Sequence, residues 1–145
     1  MSRVEDFLSA TEEQEVVEAI LKAEKNTSGE IRVHIEGHTR KDHYERAKEV
    51  FHLLKMDNTK QENGVLIYVA VTDKKFVICG DKGIDKVVPK DFWQTTRNSI
   101  QTHFEKGAFK DGLVAGVLKA GEELRSHFPW QSDDTNELSN EISKG

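Results

Sequence analysis

Cysteine, proline and long apolar runs are all scarce in this sequence, and each shortage excludes something. There is one cysteine, Cys79, so neither an intramolecular disulfide nor a multi-thiolate zinc site can form. The longest apolar run, Val65 to Val71, is far short of the ~18 residues a membrane-spanning helix needs, and Met1 to Asp6 holds no apolar leader core. Basic residues are outnumbered as well: 21 Lys and Arg stand against 26 Asp and Glu, a net charge of -5. Nucleic acid and anionic membranes select a net basic face, so neither is an expected partner. The expectation is a monomeric chain of a reducing compartment, the cytoplasm.

What is present is enough for one domain. The 145 residues are 36% hydrophobic and 32% charged, which provides a single core under a heavily charged exterior. Ser9 with Glu12 three residues later reads as a capping box opening a helix whose stripe is Val16, Val17, Ile20 and Leu21. From Glu30 to Glu36, apolar Ile31, Val33 and Ile35 alternate with Arg32, His34 and Glu36, the pattern of a strand with one buried face. Tyr44, Ala47, Val50, Phe51 and Leu54 mark a second helix. Val65 to Val71 is continuously apolar, which predicts a central strand covered on both faces, and Phe76 to Cys79 returns from it as a hairpin partner. Pro89 suits the first turn of a third helix carrying Phe92, Trp93, Thr96, Ile100 and Phe104. A fourth helix buries Leu113, Val114, Val117, Leu118 and Leu124 and stops before Pro129. Residues 1–129 form the expected domain, and residues 130–145, polar and aperiodic, read as a frayed tail.

Strand–helix–strand implies a parallel pair, and the hairpin adds an antiparallel strand. The fold class is therefore α/β: a three-layer α/β/α sandwich with a small mixed sheet. In that topology Glu30, Asn63 and the stretch from Gly80 to Asp85 share one sheet edge, while Asp73 sits at the other. Carboxylates converging on a glycine-bracketed loop are the ligand chemistry of Ca²⁺ or Mg²⁺. Glu30, Asp81 and Asp85 are the candidate ligands. Asp111 joins them only where its helix begins at the same edge; otherwise it complements a helix dipole. Plainer readings compete at this loop. Asp81 suits the cap of a turn and Asp85 a solvated surface position. Gly80-x-x-Gly83 with Lys82 has the composition of a phosphate cradle without matching a P-loop or dinucleotide fingerprint. His34, His38 and His43 offer a transition-metal set or, more simply, surface histidines. Cys79 reads as a small core residue.

Four blocks resemble the TPM domain family. They are Ser28-Gly29-Glu30-Ile31-Arg32-Val33, Asn63-Gly64-Val65-Leu66-Ile67-Tyr68-Val69, Val77-Ile78-Cys79-Gly80-Asp81-Lys82-Gly83-Ile84 and Gly107-Ala108-Phe109-Lys110-Asp111-Gly112-Leu113, in that order. The resemblance runs from Ser9 to Phe128 and implies an α/β/α sandwich, Ca²⁺ binding and, through plant relatives, acid phosphatase activity. It carries family positions onto Glu30, Gly64, Gly80, Gly83, Asp85, Asp111 and Gly112. The family's block after the third strand tends to end in glutamate, near which Asp85 stands here. Three functions follow as expectations. The first is a divalent-cation domain with Glu30, Asp81, Asp85 and Asp111 as ligands and Ca²⁺ or Mg²⁺ as the ion. The second is a metal-assisted phosphomonoesterase with Asp85 or Asp111 as general base. The third is a module for a protein partner, marked by an exposed Phe92 or Trp93.

Overall fold

The computed structural model describes residues 7–130 and 141–145. The chain order is α1 (Ala10–Glu24), β1 (Glu30–Glu36), α2 (His43–Leu53), β2 (Gly64–Ala70), β3 (Lys75–Gly80), α3 (Lys82–Asp85), α4 (Gln94–Glu105), α5 (Phe109–Arg125) and β4 (Ser143–Lys144). The capping box forms as the residues predict: Glu12 N–H donates to Ser9 Oγ, and Ser9 N–H to the Glu12 carboxylate. The sheet order is β3-β2-β1-β4. β1 and β2 are parallel with Glu30 opposite Gly64, and β2 and β3 are antiparallel with Val65 opposite Gly80.

Every residue of β2 is buried, because helices cover both faces of the sheet. Ile31, Val33, Ile35, Val65, Ile67 and Val69 pack under α1, α4 and α5. Leu66, Tyr68, Ala70 and Cys79 pack under α2 through Ala47, Val50 and Phe51. The α/β class, the parallel pair and the hairpin are all as the sequence predicts. No helix among the described residues is long and apolar enough to cross a membrane.

Three elements differ from expectation. Pro89 does not open the third long helix. Phe92 N–H and Gln94 N–H close turns onto Pro89 and Asp91, and α4 starts at Gln94 with no side-chain cap. Ahead of it, Asp81 nucleates the one-turn α3. At the C-terminus, residues 131–140 of the expected tail lie outside the described residues, whereas Ser143–Lys144 pair in parallel with His34 and Ile35 of β1. Two residues carry no periodicity, so the pattern of the chain could not announce this strand.

The helices α4 and α5 fix the two ends of the molecule. Trp93, just before α4, lies against Gly80, and Phe104 near the end of α4 lies against Phe76 at the start of β3. So α4 runs from the near edge of the sheet, where β3 ends, to the far edge. Helix α5 runs back, bringing Leu124 against Gly29 and the Phe128 carbonyl to the Ser28 N–H at 2.8 Å.

Candidate functional site

The near edge holds the ends of β1, β2 and β3. Asp81 is locked there by its backbone: its N–H donates to the Gly64 carbonyl at 2.9 Å, and its carbonyl accepts from the N–H groups of Ile84 and Asp85. Its Oδ1 accepts from the Lys82 N–H at 2.7 Å, which caps α3, so the turn reading of this aspartate is met. The other oxygen, Oδ2, is buried and has no hydrogen-bond partner, in a residue only 7% exposed. Burial pushes the Asp81 carboxyl above the usual aspartate range, more than the Lys82 N–H lowers it; the charges of Glu62 and Asp57 push the same way as burial. The Lys82 ammonium stands 2.9 Å from the Glu62 carboxylate, which it partners at the surface.

Asp81 and Asp85 line one cleft of about 300 Å³ beside Tyr44, Phe51, His52 and Cys79. Desolvation in that cleft raises the Asp85 carboxyl too. Cys79 is pushed up to about 11, by burial first and by the charges of Asp85 and Asp81. It is a protonated core thiol at neutral pH, as its position on a strand suggests. His52 Nδ1 pairs with Asp57 at 2.9 Å on the outer side.

The structure brings Asp81 and Asp85 together and separates the other two carboxylates from them. Glu30 is buried at the start of β1 and is not part of the cleft wall. Asp111 is in the first turn of α5, whose start is at the far edge, where it accepts from Lys110 at 2.7 Å. Among the described residues no three His, Cys, Asp or Glu side chains are arranged to hold a metal ion. Of the expected set of Glu30, Asp81, Asp85 and Asp111, the cleft is lined by Asp81 and Asp85 and not by Glu30 or Asp111.

The glycines of the loop are also explained differently. A Cβ on Gly83 would overlap the carbonyl oxygens of Gln61 and Glu62, and one on Gly80 would touch Ile84 and Trp93. Their bareness lets α3 dock on the chain's own 57–63 loop, and the room a phosphate cradle needs at Gly83 is already filled. Trp93, named as a mark of a protein-binding face, is 8% exposed and packs edge-on to Phe92 at 4.7 Å.

The far edge carries the polar cluster that the sequence did not announce. Glu36 is buried and accepts from Arg46 Nε and Nη2, both at 2.9 Å, from His34 Nε2 at 3.0 Å and from the Tyr68 hydroxyl. A carboxylate only accepts, so His34 carries its proton on Nε2, and its Nδ1 accepts from the Ser143 hydroxyl at 2.9 Å. Burial lowers the His34 pKa, which keeps this neutral tautomer. His38 and His43 instead converge on Asp73, at 2.6 and 2.9 Å, and hold its carboxyl down at about 2. The three histidines thus belong to two separate clusters. Arg46 reaches Glu36, and Asp73 reaches His38 and His43, across sequence distances that no local pattern reports.

The family model for the TPM domain matches residues 2–123. The chain belongs to the TPM domain family. Among solved structures, this TPM domain is similar to the BA42 protein of the psychrophilic bacterium Bizionia argentinensis. The two share 63% identity over the whole of both chains, with a TM-score of 0.93. The N-terminal domain of a P. gingivalis protein shares the fold at 19% identity and a TM-score of 0.67, covering 84% of this chain and 79% of that one. The N-terminal domain of the cg2496 protein from Corynebacterium glutamicum does so at 10% identity and 0.63, covering 95% and 80%. No curated protein matches the chain.

Proposed function

We propose that this TPM domain binds a divalent cation, Mg²⁺ or Ca²⁺, through Asp81 and Asp85 with water completing the coordination. The observation that supports this reading is the Asp81 Oδ2: a buried carboxylate oxygen with no partner, in a cleft with a second raised carboxyl. An unpaired buried charge is costly, and a hard cation offsets that cost with the oxygen ligands it prefers. Mg²⁺ in particular keeps several waters and takes only one or two protein carboxylates, which is what the cleft provides.

Stability measurements test the reading. Binding to the folded state alone adds about 2.7 kcal/mol at a hundredfold excess over the dissociation constant, so the thermal midpoint should climb with millimolar Mg²⁺ or Ca²⁺. Asp81→Asn keeps the Oδ1 cap of α3 and removes the frustrated charge. In chelator that variant should melt above the wild type, because a carboxyl with a raised pKa destabilises the fold once it is ionised. Its midpoint should then ignore added cation. A wild-type midpoint that is flat in both cations, or an equal climb in Asp81→Asn, refutes the site.

A metal-assisted phosphomonoesterase is the second reading of the same cleft, favoured by the raised carboxyl of Asp85, whose ionised form is a stronger base than an ordinary aspartate. Aryl phosphate turnover that persists through repurification and collapses in Asp85→Ala would support it. Equal turnover in wild type and variant would assign the activity to a contaminant.

A further inference from the structure

A second cleft, of about 470 Å³, opens at the far edge of the sheet. Its wall is aromatic. Phe7 and Phe109 lie 4.6 Å apart between ring centroids, and Phe104 lies 5.4 Å from Phe109 and 6.1 Å from Phe7. Phe109 remains 36% exposed although two rings, Phe7 and Phe104, pack against it. At the rim stand Lys74 and Lys75, both exposed and neither in an ion pair among the described residues, against the single carboxylate of Glu105.

Lys74, with Lys55 and Glu62, is one of three non-glycine residues with positive φ among the described residues. It occupies the left-handed region at φ 56, in the turn that its N–H closes onto the Val71 carbonyl. Glycine or asparagine meets that conformation with less strain, so the turn itself gives no reason for a lysine there. Strained positions of this kind concentrate where a side chain serves a ligand.

We propose that this cleft binds a small amphiphilic carboxylate, its aliphatic or aromatic body against Phe7, Phe104 and Phe109 and its acid group between Lys74 and Lys75. The volume falls in the range of small-ligand sites, which combine an apolar lining with a few placed polar groups. The two unpaired ammonium groups select an anion, and the aromatic wall requires an apolar body behind it. Inorganic anions lack that body, and neutral or cationic amphiphiles lack the charge. The cleft lies across the sheet from Asp81, about 20 Å away along the strands, so it is independent of the cation site.

The test is an amide NMR titration of the intact domain with decanoate below its micelle concentration, with decyltrimethylammonium as the arm of equal tail and opposite charge. Saturable shifts are expected at residues 71–75 and 104–109 with decanoate, and binding at least about tenfold weaker with the cationic tail. The double variant Lys74→Gly, Lys75→Gln should weaken decanoate by about tenfold while its thermal midpoint stays level or rises, since glycine relieves the left-handed residue. Absence of saturable shifts at millimolar decanoate overturns the site. Equal binding of both tails, or undiminished binding by the double variant, overturns the carboxylate selection and with it the proposal.

Discussion

Glu36→Ala should be among the most damaging single changes in this domain, costing about 3–5 kcal/mol. One carboxylate receives four hydrogen bonds, from both reaching nitrogens of Arg46, from His34 and from Tyr68, and it is 4% exposed. Its removal leaves a phenol and an imidazole without their partner and a half-buried guanidinium with only Glu49. Domains of this size are held by about 5–15 kcal/mol, so the variant should approach the unfolding threshold. Urea denaturation of wild type and variant measures the difference, and a loss below about 1 kcal/mol would mean that water reaches the network freely.

The same cluster sets an acid limit. Burial alone would raise the Glu36 carboxyl, but the hydrogen bonds from Arg46, Tyr68 and His34 outweigh it and bring it from 4.5 to about 2. A depressed carboxyl contributes its full stability above the unfolded value and loses it as pH falls from about 4.5 toward 2, a contribution of roughly 3 kcal/mol. Asp73, held at about 2 by His38 first and His43 second, titrates over the same range. Comparing the acid melting of wild type with that of Glu36→Gln isolates the Glu36 share. The glutamine variant should start less stable and show the shallower decline.

Gly83→Ala is the second large effect. The added methyl would enter the carbonyl oxygens of Gln61 and Glu62, which are backbone atoms and cannot rotate away. Overpacking of this kind costs about 1–3 kcal/mol, and relief here requires α3 to lift off the 57–63 loop. That movement carries Asp81, so the variant should also lose its stabilisation by Mg²⁺ or Ca²⁺. Wild-type stability and cation response in Gly83→Ala would show that α3 does not dock on that loop. Asp81→Asn and Gly83→Ala therefore abolish the same response while moving the baseline stability in opposite directions.

Much of the frame is legible in the residues because it depends on local pattern. Seven consecutive apolar, β-rich residues bounded by turn signals point to a strand buried on both faces, and the alternation from Glu30 to Glu36 points to its parallel neighbour across a helix. Those two facts place Asp81 and Asp85 at one edge. Asp111 was legible in principle as well. A twelve-residue α4 is about 18 Å long, enough to carry the chain across the sheet before α5 begins. The polar face of β1 was not legible. Arg32, His34 and Glu36 alternate as a solvent-facing row would, and only the arrival of Arg46, Tyr68 and Ser143 from elsewhere turns His34 and Glu36 inward. Nor does sequence reveal which oxygen of Asp81 lacks a partner, since that depends on the Lys82 ammonium having gone to Glu62.

The pairing of β4 with β1 has a consequence for association. Without Ser143 and Lys144, the outer side of β1 would present a row of unpaired amides and carbonyls, the template on which neighbouring molecules zip together. A hydroxyl anchored to His34 and a Gly145 N–H donated to the Ile35 carbonyl keep the His34–Ile35 stretch of that edge occupied from within the same chain. Gly145 also sits where a Cβ would crowd both Glu36 and His34, so bulk introduced there would pry the strap loose. Residues 143–145 thus act as a stopper on this part of the sheet, and bulk introduced at Gly145 should make the domain stickier.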